Sequence, residues 1–251
     1  MIRIKSLQEI QKMRAAGRIV AEVFEVLKPH IVPGITTYEL DKIAAEHIVK
    51  SGATCSFYNY SGYPGHVCIS VNEEVIHGIP GKKKLKDGDI VSVDVGACID
   101  GYHGDAARTF AVGDISPDAK KLIDVTEESF FAGIEFAKPG YRLGDISASI
   151  QEIVEKNGFS VVRDFVGHGI GSMLHEEPEV PNYGKPGHGP RLMPGMTLAV
   201  EPMVNAGGYN VRVLGDDWTV ITVDGSLSAH YENTILITDG EPEILTVAEV
   251  F

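Results

Sequence analysis

Two acids stand at the ends of apolar runs, where an unpaired carboxylate is costly. Asp87-Gly88-Asp89-Ile90-Val91-Ser92-Val93-Asp94 reads as a turn, an apolar strand and a closing acid, and Pro194-Gly195-Met196-Thr197-Leu198-Ala199-Val200-Glu201 repeats the pattern 107 positions later. Apolar β-rich runs are buried strands, and enclosing an uncompensated carboxylate costs several kcal/mol. Core hydrogen bonds can satisfy one such residue. Two in equivalent places point to a duplicated half and a shared partner, and the simplest partner is a metal ion.

The segment after Asp94 supplies a third acid. Asp100-Gly101 between strand-forming residues is a strong hairpin signal, and it returns the chain through His103-Gly104-Asp105. If Asp100-Gly101 is the two-residue turn, Gly96 faces Asp105 and Asp94 faces Ala107. Asp94 and Asp105 then share one face as diagonal neighbours, with Cα atoms roughly 7 Å apart. That spacing brackets one or two cations about 3.5 Å apart. A bulge at Gly104 would change this register. In the second half Glu232 opens Glu232-Asn233-Thr234-Ile235-Leu236, with glycine eight residues on, as Gly113 follows Asp105. Each half thus offers two acids. Without cations, four converging carboxylates repel and raise one another's pKa.

A nitrogen donor is at hand. Val166-Gly167-His168-Gly169-Ile170-Gly171 brackets a histidine with glycines, which permits close backbone approach, and His175-Glu176-Glu177-Pro178 follows seven residues later. His77, in Val75-Ile76-His77-Gly78-Ile79-Pro80, lies in an apolar, glycine-adjacent setting. Lone histidines are more often satisfied polar residues than ligands, so His30, His47, His66, His103, His188 and His230 are read as structural or surface residues. Oxygen-dominated ligation with one imidazole suits Mn, Fe(II) or Co.

Positioning these groups requires a repeated scaffold. Ser6 with Glu9 is a capping box opening a helix to about Lys28, whose buried stripe is Ile10, Met13, Val20, Phe24 and Leu27. Thr36 with Glu39 opens a second helix that stops near Gly52. Ser116-Pro117 opens a third through Phe136, and a fourth runs from about Asp145 to Asn157-Gly158. The Pro33-Gly34 and Pro139-Gly140 breaks are 106 positions apart, as are Gly52 and Gly158. The chain therefore reads as two helix–helix–strand halves, about 5–113 and 114–251, in one catalytic domain over 1–251.

Composition narrows the function. A net charge of −13 argues against a nucleic-acid-binding surface, and Lys82-Lys83-Lys84 reads as a solvated loop. No apolar stretch reaches the roughly 18–20 residues of a membrane span, and the start, Met1-Ile2-Arg3-Ile4-Lys5-Ser6, is no apolar secretory segment. Three cysteines (Cys55, Cys68, Cys98) with no CxxC spacing make a disulfide framework unexpected. The expectation is a cytoplasmic protein.

Asp94, Asp105, His168, Glu201 and Glu232, in this order and spacing, resemble the dinuclear metal site of the type I methionine aminopeptidases. Val71-Asn72-Glu73, His77-Gly78-Ile79-Pro80, Asp100-Gly101-Tyr102-His103-Gly104-Asp105 and His175-Glu176-Glu177-Pro178 extend the likeness over nearly the whole chain. The resemblance implies an α/β (α+β) chain in the pita-bread fold, two pseudo-symmetric halves around two divalent ions (Co, Mn, Fe(II) or Zn). It implies that Asp94 and Asp105 bridge or chelate the metals, that His168 binds one, and that Glu201 and Glu232 complete the set. The implied reaction is removal of N-terminal methionine from peptides and nascent chains at the ribosome, through attack of a metal-bound hydroxide. Glu201 would shuttle the proton, His175 would hydrogen-bond the substrate carbonyl, and His77 would contact the peptide near the leaving amine. The resemblance also places a methionine pocket at Tyr60, Tyr63, Cys68 and Trp218, with Phe57 and Leu174 departing from the commonest bacterial pattern. It adds a monovalent cation near Asn72 and Ser228, and a monomeric state.

Two alternatives share this fold. A proline-specific aminopeptidase or dipeptidase usually carries a sizeable extra N-terminal domain, whereas only a few residues here precede the first helix. A non-catalytic binding protein typically loses ligands, whereas this chain retains all five and both histidines.

Overall fold

Each helix begins where a side chain replaces hydrogen bonds that its first turn lacks. The computed structural model describes residues 1–248 of the chain; the last positions of the expected domain, 249–251, lie outside the described residues. Ser6 and Glu9 form the expected capping box before α1 (Leu7–Leu27), and Thr36 and Glu39 form another before α2 (Thr37–Lys50). The Ser116 side chain caps α3 (Pro117–Ile134) by accepting from the Ala119 N–H. The fourth helix, α4 (Leu143–Lys156), starts earlier than about Asp145. Asp145 is a first-turn acid, its carboxylate accepting the Arg142 N–H at 2.7 Å, rather than the residue that starts the helix.

One nine-stranded sheet runs through the middle of the molecule. Its central path joins the strands Ile90–Ile99, Tyr102–Ala111, Glu232–Leu236, Thr197–Val200, Gly167–Gly169 and Glu176–Val180. All of these pairings are antiparallel. The helices α1 and α2 enclose Ile69, Val91, Val93 and Val95 in one core, and α3 and α4 enclose Leu198, Val200 and Ile235 in another. Both cores hold the same sheet, so residues on its remaining face are fixed relative to one another. No helix among the described residues is long and apolar enough to cross a membrane.

The hairpin has the register that its turn implies. Asp100 and Gly101, both at positive φ, make the turn, Gly96 pairs with Asp105, and Asp94 pairs with Ala107. There is no bulge at Gly104. That glycine is instead required because α1 lies directly on the strand, where a Cβ would stand 2.7 Å from the Gly17 nitrogen. One expectation is corrected: Asp94 does not close its strand but sits in the middle of Ile90–Ile99, because pairing continues to the turn. Asp105 likewise lies inside Tyr102–Ala111, whereas Glu232 opens its strand and Glu201 follows Val200 at a strand end.

Candidate metal centre

Strand pairing sets the acids in two rows on one face. Asp94 pairs with Ala107, and Ala107 with Glu232. Val200 pairs with Asn233, which brings Glu201 beside Glu232. One step along, Asp105 is clasped to Thr234, whose hydroxyl accepts from the Asp105 N–H at 3.0 Å and donates to its carbonyl at 2.9 Å. Ala199 pairs with both Thr234 and His168, which completes the second row. Residues two apart on a strand share a face, so both rows project to the same side. The glycines around His168 are steric necessities: a Cβ at Gly167 would stand 2.3 Å from the Ala199 oxygen, and one at Gly169 would stand 2.2 Å from the Glu177 oxygen.

The donor atoms converge, and apart from a side-chain hydrogen bond between Asp94 and Asp105 they leave one another unsatisfied. His168 Nε2 lies 3.6 Å from Glu201 Oε1 and 3.9 Å from Asp105 Oδ2. These separations exceed a hydrogen bond but suit ligands about 2.0–2.2 Å from a common cation. Asp94 Oδ1, Asp105 Oδ1, Glu232 Oε1 and His230 Nε2 are enclosed and have no hydrogen-bond partner. His168 Nδ1 is 2.8 Å from the Gly169 carbonyl. That contact assigns the proton to Nδ1 and leaves Nε2 as a donor to metal.

Electrostatics gives the same answer. Burial raises Asp94 to about 7. It holds Asp105, Glu201 and Glu232 well above the carboxylate range, with neighbouring acids adding to the shift. His168 falls to about 3, through burial and then the His175 charge. The imidazole is therefore neutral and forms no ion pair with the acids beside it. Four acids resisting ionisation beside a neutral imidazole are a donor set for divalent cations. The residues present fit such ions.

Beside these acids opens a cavity of about 310 Å³. Its lining includes Asp94, Asp105, His168, Glu201 and Glu232, together with His77, His175, Phe57, Tyr60, Tyr63, Cys68, Leu174 and Trp218. The Tyr63 hydroxyl donates to the Gly78 carbonyl at 2.9 Å, and Trp218 meets the Tyr63 ring edge-on at 5.1 Å. Gly96 leaves space for Phe57, whose ring would stand 2.6 Å from a Cβ there. His175 Nδ1 contacts the Tyr60 hydroxyl at 2.7 Å. His77 adopts φ +59°, a left-handed conformation uncommon outside glycine and concentrated at functional sites. Burial and then His175 lower its pKa to about 4.

Asn72 and Ser228 do not line the cavity. They meet through a Ser228 N–H to Asn72 carbonyl bond of 2.9 Å. The Asn72 side chain bonds Asp89 and the Ile90 N–H, and the Ser228 hydroxyl bonds Asn205 and the Val204 carbonyl. Sequence reasoning missed Ser61, Ile76, Phe165 and Val166 in the lining. It also passed over His230, which is 1% exposed and 3.8 Å from both Glu201 and Glu232. The available signal was its spacing, two residues before Glu232.

The model of metallopeptidase family M24 matches residues 11–239. The chain is 62% identical over 247 residues to the methionine aminopeptidase of Clostridium perfringens, covering 98% of this chain and 99% of that one. The crystal structure of methionine aminopeptidase from Thermotoga maritima superposes with a TM-score of 0.97 at 52% identity, over 98% and 100% of the two chains. A prolidase from Pyrococcus furiosus shares the fold, with a TM-score of 0.79 at 23% identity, and here 98% of this chain covers 66% of that one.

Proposed function

The chain belongs to metallopeptidase family M24 and has its pita-bread fold, and from that premise we propose that it is a metal-dependent aminopeptidase removing N-terminal methionine from peptides and nascent chains. The observation that carries this reading is the set of enclosed, partnerless carboxylate oxygens beside an apolar cavity. Asp94, Asp105, His168, Glu201 and Glu232 would hold two divalent ions, from among Mn, Fe(II), Co and Zn. Such ions activate water for attack and polarise the scissile carbonyl.

The protein's own groups divide the remaining work. Phe57, Tyr63, Cys68, Leu174 and Trp218 enclose the methionine side chain, whose thioether suits an apolar, aromatic wall. Asp94 meets the substrate's free α-amino group, which restricts cleavage to the first residue. Glu201, whose pKa burial raises, takes a proton from the attacking water and passes it to the leaving amine. With the Tyr60 hydroxyl donating to Nδ1, His175 keeps its proton on Nε2 and donates it to the carbonyl oxygen as charge develops. His77 contacts the peptide near the leaving nitrogen. A monovalent cation would sit beside Asn72 and Ser228. The enzyme works as a monomer in the cytoplasm, on chains emerging from the ribosome.

A panel of Met-Ala and Ala-Pro peptides tests the reading. Release of methionine from Met-Ala, dependent on added divalent metal, is the expected result. Cleavage confined to Xaa-Pro peptides would instead establish a proline-specific enzyme, and no metal uptake with no cleavage would establish a binding protein.

A further inference from the structure

His230 is the one imidazole at the metal centre without a role. It lies on the strand Ser228–His230, which pairs with Met203–Asn205, outside the sheet that carries the five expected ligands. The Thr109 hydroxyl clamps its backbone, accepting from the His230 N–H at 2.9 Å and donating to its carbonyl at 2.9 Å. The side chain is buried, and its Nε2 has no hydrogen-bond partner. That atom faces Glu201 Oε2 and Glu232 Oε2, each at 3.8 Å.

The two glutamates are oriented alike. Glu201 turns Oε1 toward His168 and Oε2 toward His230. Glu232 has a partnerless Oε1 and likewise turns Oε2 toward His230. Each therefore presents one oxygen to the donor cluster and the other to the same ring nitrogen. At 3.8 Å the ring nitrogen stands beyond a hydrogen bond from either oxygen, and the same spacing also groups it with Asp94 and Glu232 as a candidate ligand. Carboxylate ligands need a donor on their outer oxygen to fix their direction, and this imidazole N–H is placed to become that donor as the glutamates close on cations.

We propose that His230 is a positioning residue of the metal centre, its Nε2–H holding the outer oxygens of Glu201 and Glu232 so that both glutamates aim at the cations. The inference rests on the metal-centre reading. If that reading fails, the wild-type protein takes up no divalent ion. If only the present inference fails, the wild type still binds metal.

The test is calorimetric titration of Mn(II) into chelator-stripped wild type, His230→Leu and His230→Gln, with thermal unfolding of each stripped protein alongside. Leucine removes the donor, and glutamine restores an N–H while being a poor metal ligand. The expected result is an affinity about 10- to 100-fold weaker for His230→Leu, most of it regained by His230→Gln. X-ray absorption of the Co(II)-loaded wild type should then count one imidazole for the metal pair. Wild-type affinity in His230→Leu overturns the proposal. So does His230→Gln binding as weakly as His230→Leu, or a count of two imidazoles, which would make His230 a ligand. Should His230→Leu not fold, the imidazole count and the affinity of His230→Gln decide between the same outcomes.

Discussion

Glu176 and Glu201 are equally buried, each 9% exposed, yet their environments treat ionisation in opposite ways. Glu176 Oε2 accepts from Lys5 Nζ at 2.7 Å, and Oε1 accepts from the Met173 N–H at 3.2 Å. Burial works against its charge, but the Lys5 hydrogen bond and charge hold its pKa below the usual value. Glu201 has no cation beside it, and burial with the Asp94 charge drives its pKa up. Burial alone therefore says little about function. A buried acid with its partner in the chain is architecture, and a buried acid whose partner is missing from the chain marks a site for something else.

The sharpest way to break this contrast is to remove one acid of each kind. Glu201→Gln should lower turnover by about 10²- to 10⁴-fold, the usual contribution of a general acid–base. Unfolding of the stripped variant should show no loss of stability, because a repelling buried acid has been neutralised. A large fall in stability would mean that Glu201 is structural after all. Lys5→Met should do the reverse. It strands Glu176 without its counter-charge, which costs about 3–5 kcal/mol in denaturant unfolding, while the turnover of the folded protein stays within severalfold of wild type.

The pH dependence of the stripped protein sharpens the contrast further. Asp94 titrates at about 7 in the folded chain against an ordinary value of 3.8. Between these limits the folded state binds more protons than the unfolded one, so its stability falls as pH rises. Denaturant midpoints of chelated protein should drop from pH 4 to pH 7, and saturating Mn(II) should reverse the slope because cations favour the ionised acids. A flat profile without metal would mean that the acids are satisfied as they stand. The smallest effect is expected at Tyr60→Phe. Losing the 2.7 Å contact to His175 removes one hydrogen bond, worth about 0.5–1.5 kcal/mol. kcat/KM should fall to a corresponding degree with metal affinity unchanged.

What was legible in the sequence depended on local geometry. The relation of Asp94 to Asp105 could be read because Asp100-Gly101 forces the register of the hairpin between them. Ser6, Thr36 and Ser116 disclosed the helix starts because caps act within one turn. The expected start of the fourth helix falls two residues late, because Asp145 lies in its first turn and its carboxylate bonds backward to the Arg142 N–H. His230 escaped because nothing local says what it faces; only the pairing of Glu232 with Ala107 and the separate strand through Met203 bring its ring to the glutamates. Phe165 and Val166 reach the cavity for a similar reason, through long-range packing that leaves no periodic trace. Gly104 invited a bulge, yet its cause lies on α1, at Gly17.

The most direct measurement of the central claim is methionine release from a Met-Ala peptide by chelator-stripped protein during stepwise return of Mn(II). The expected result is negligible release from the stripped protein and activity that rises and levels off by two equivalents of metal. Full release without metal, or none at saturating metal, would contradict it.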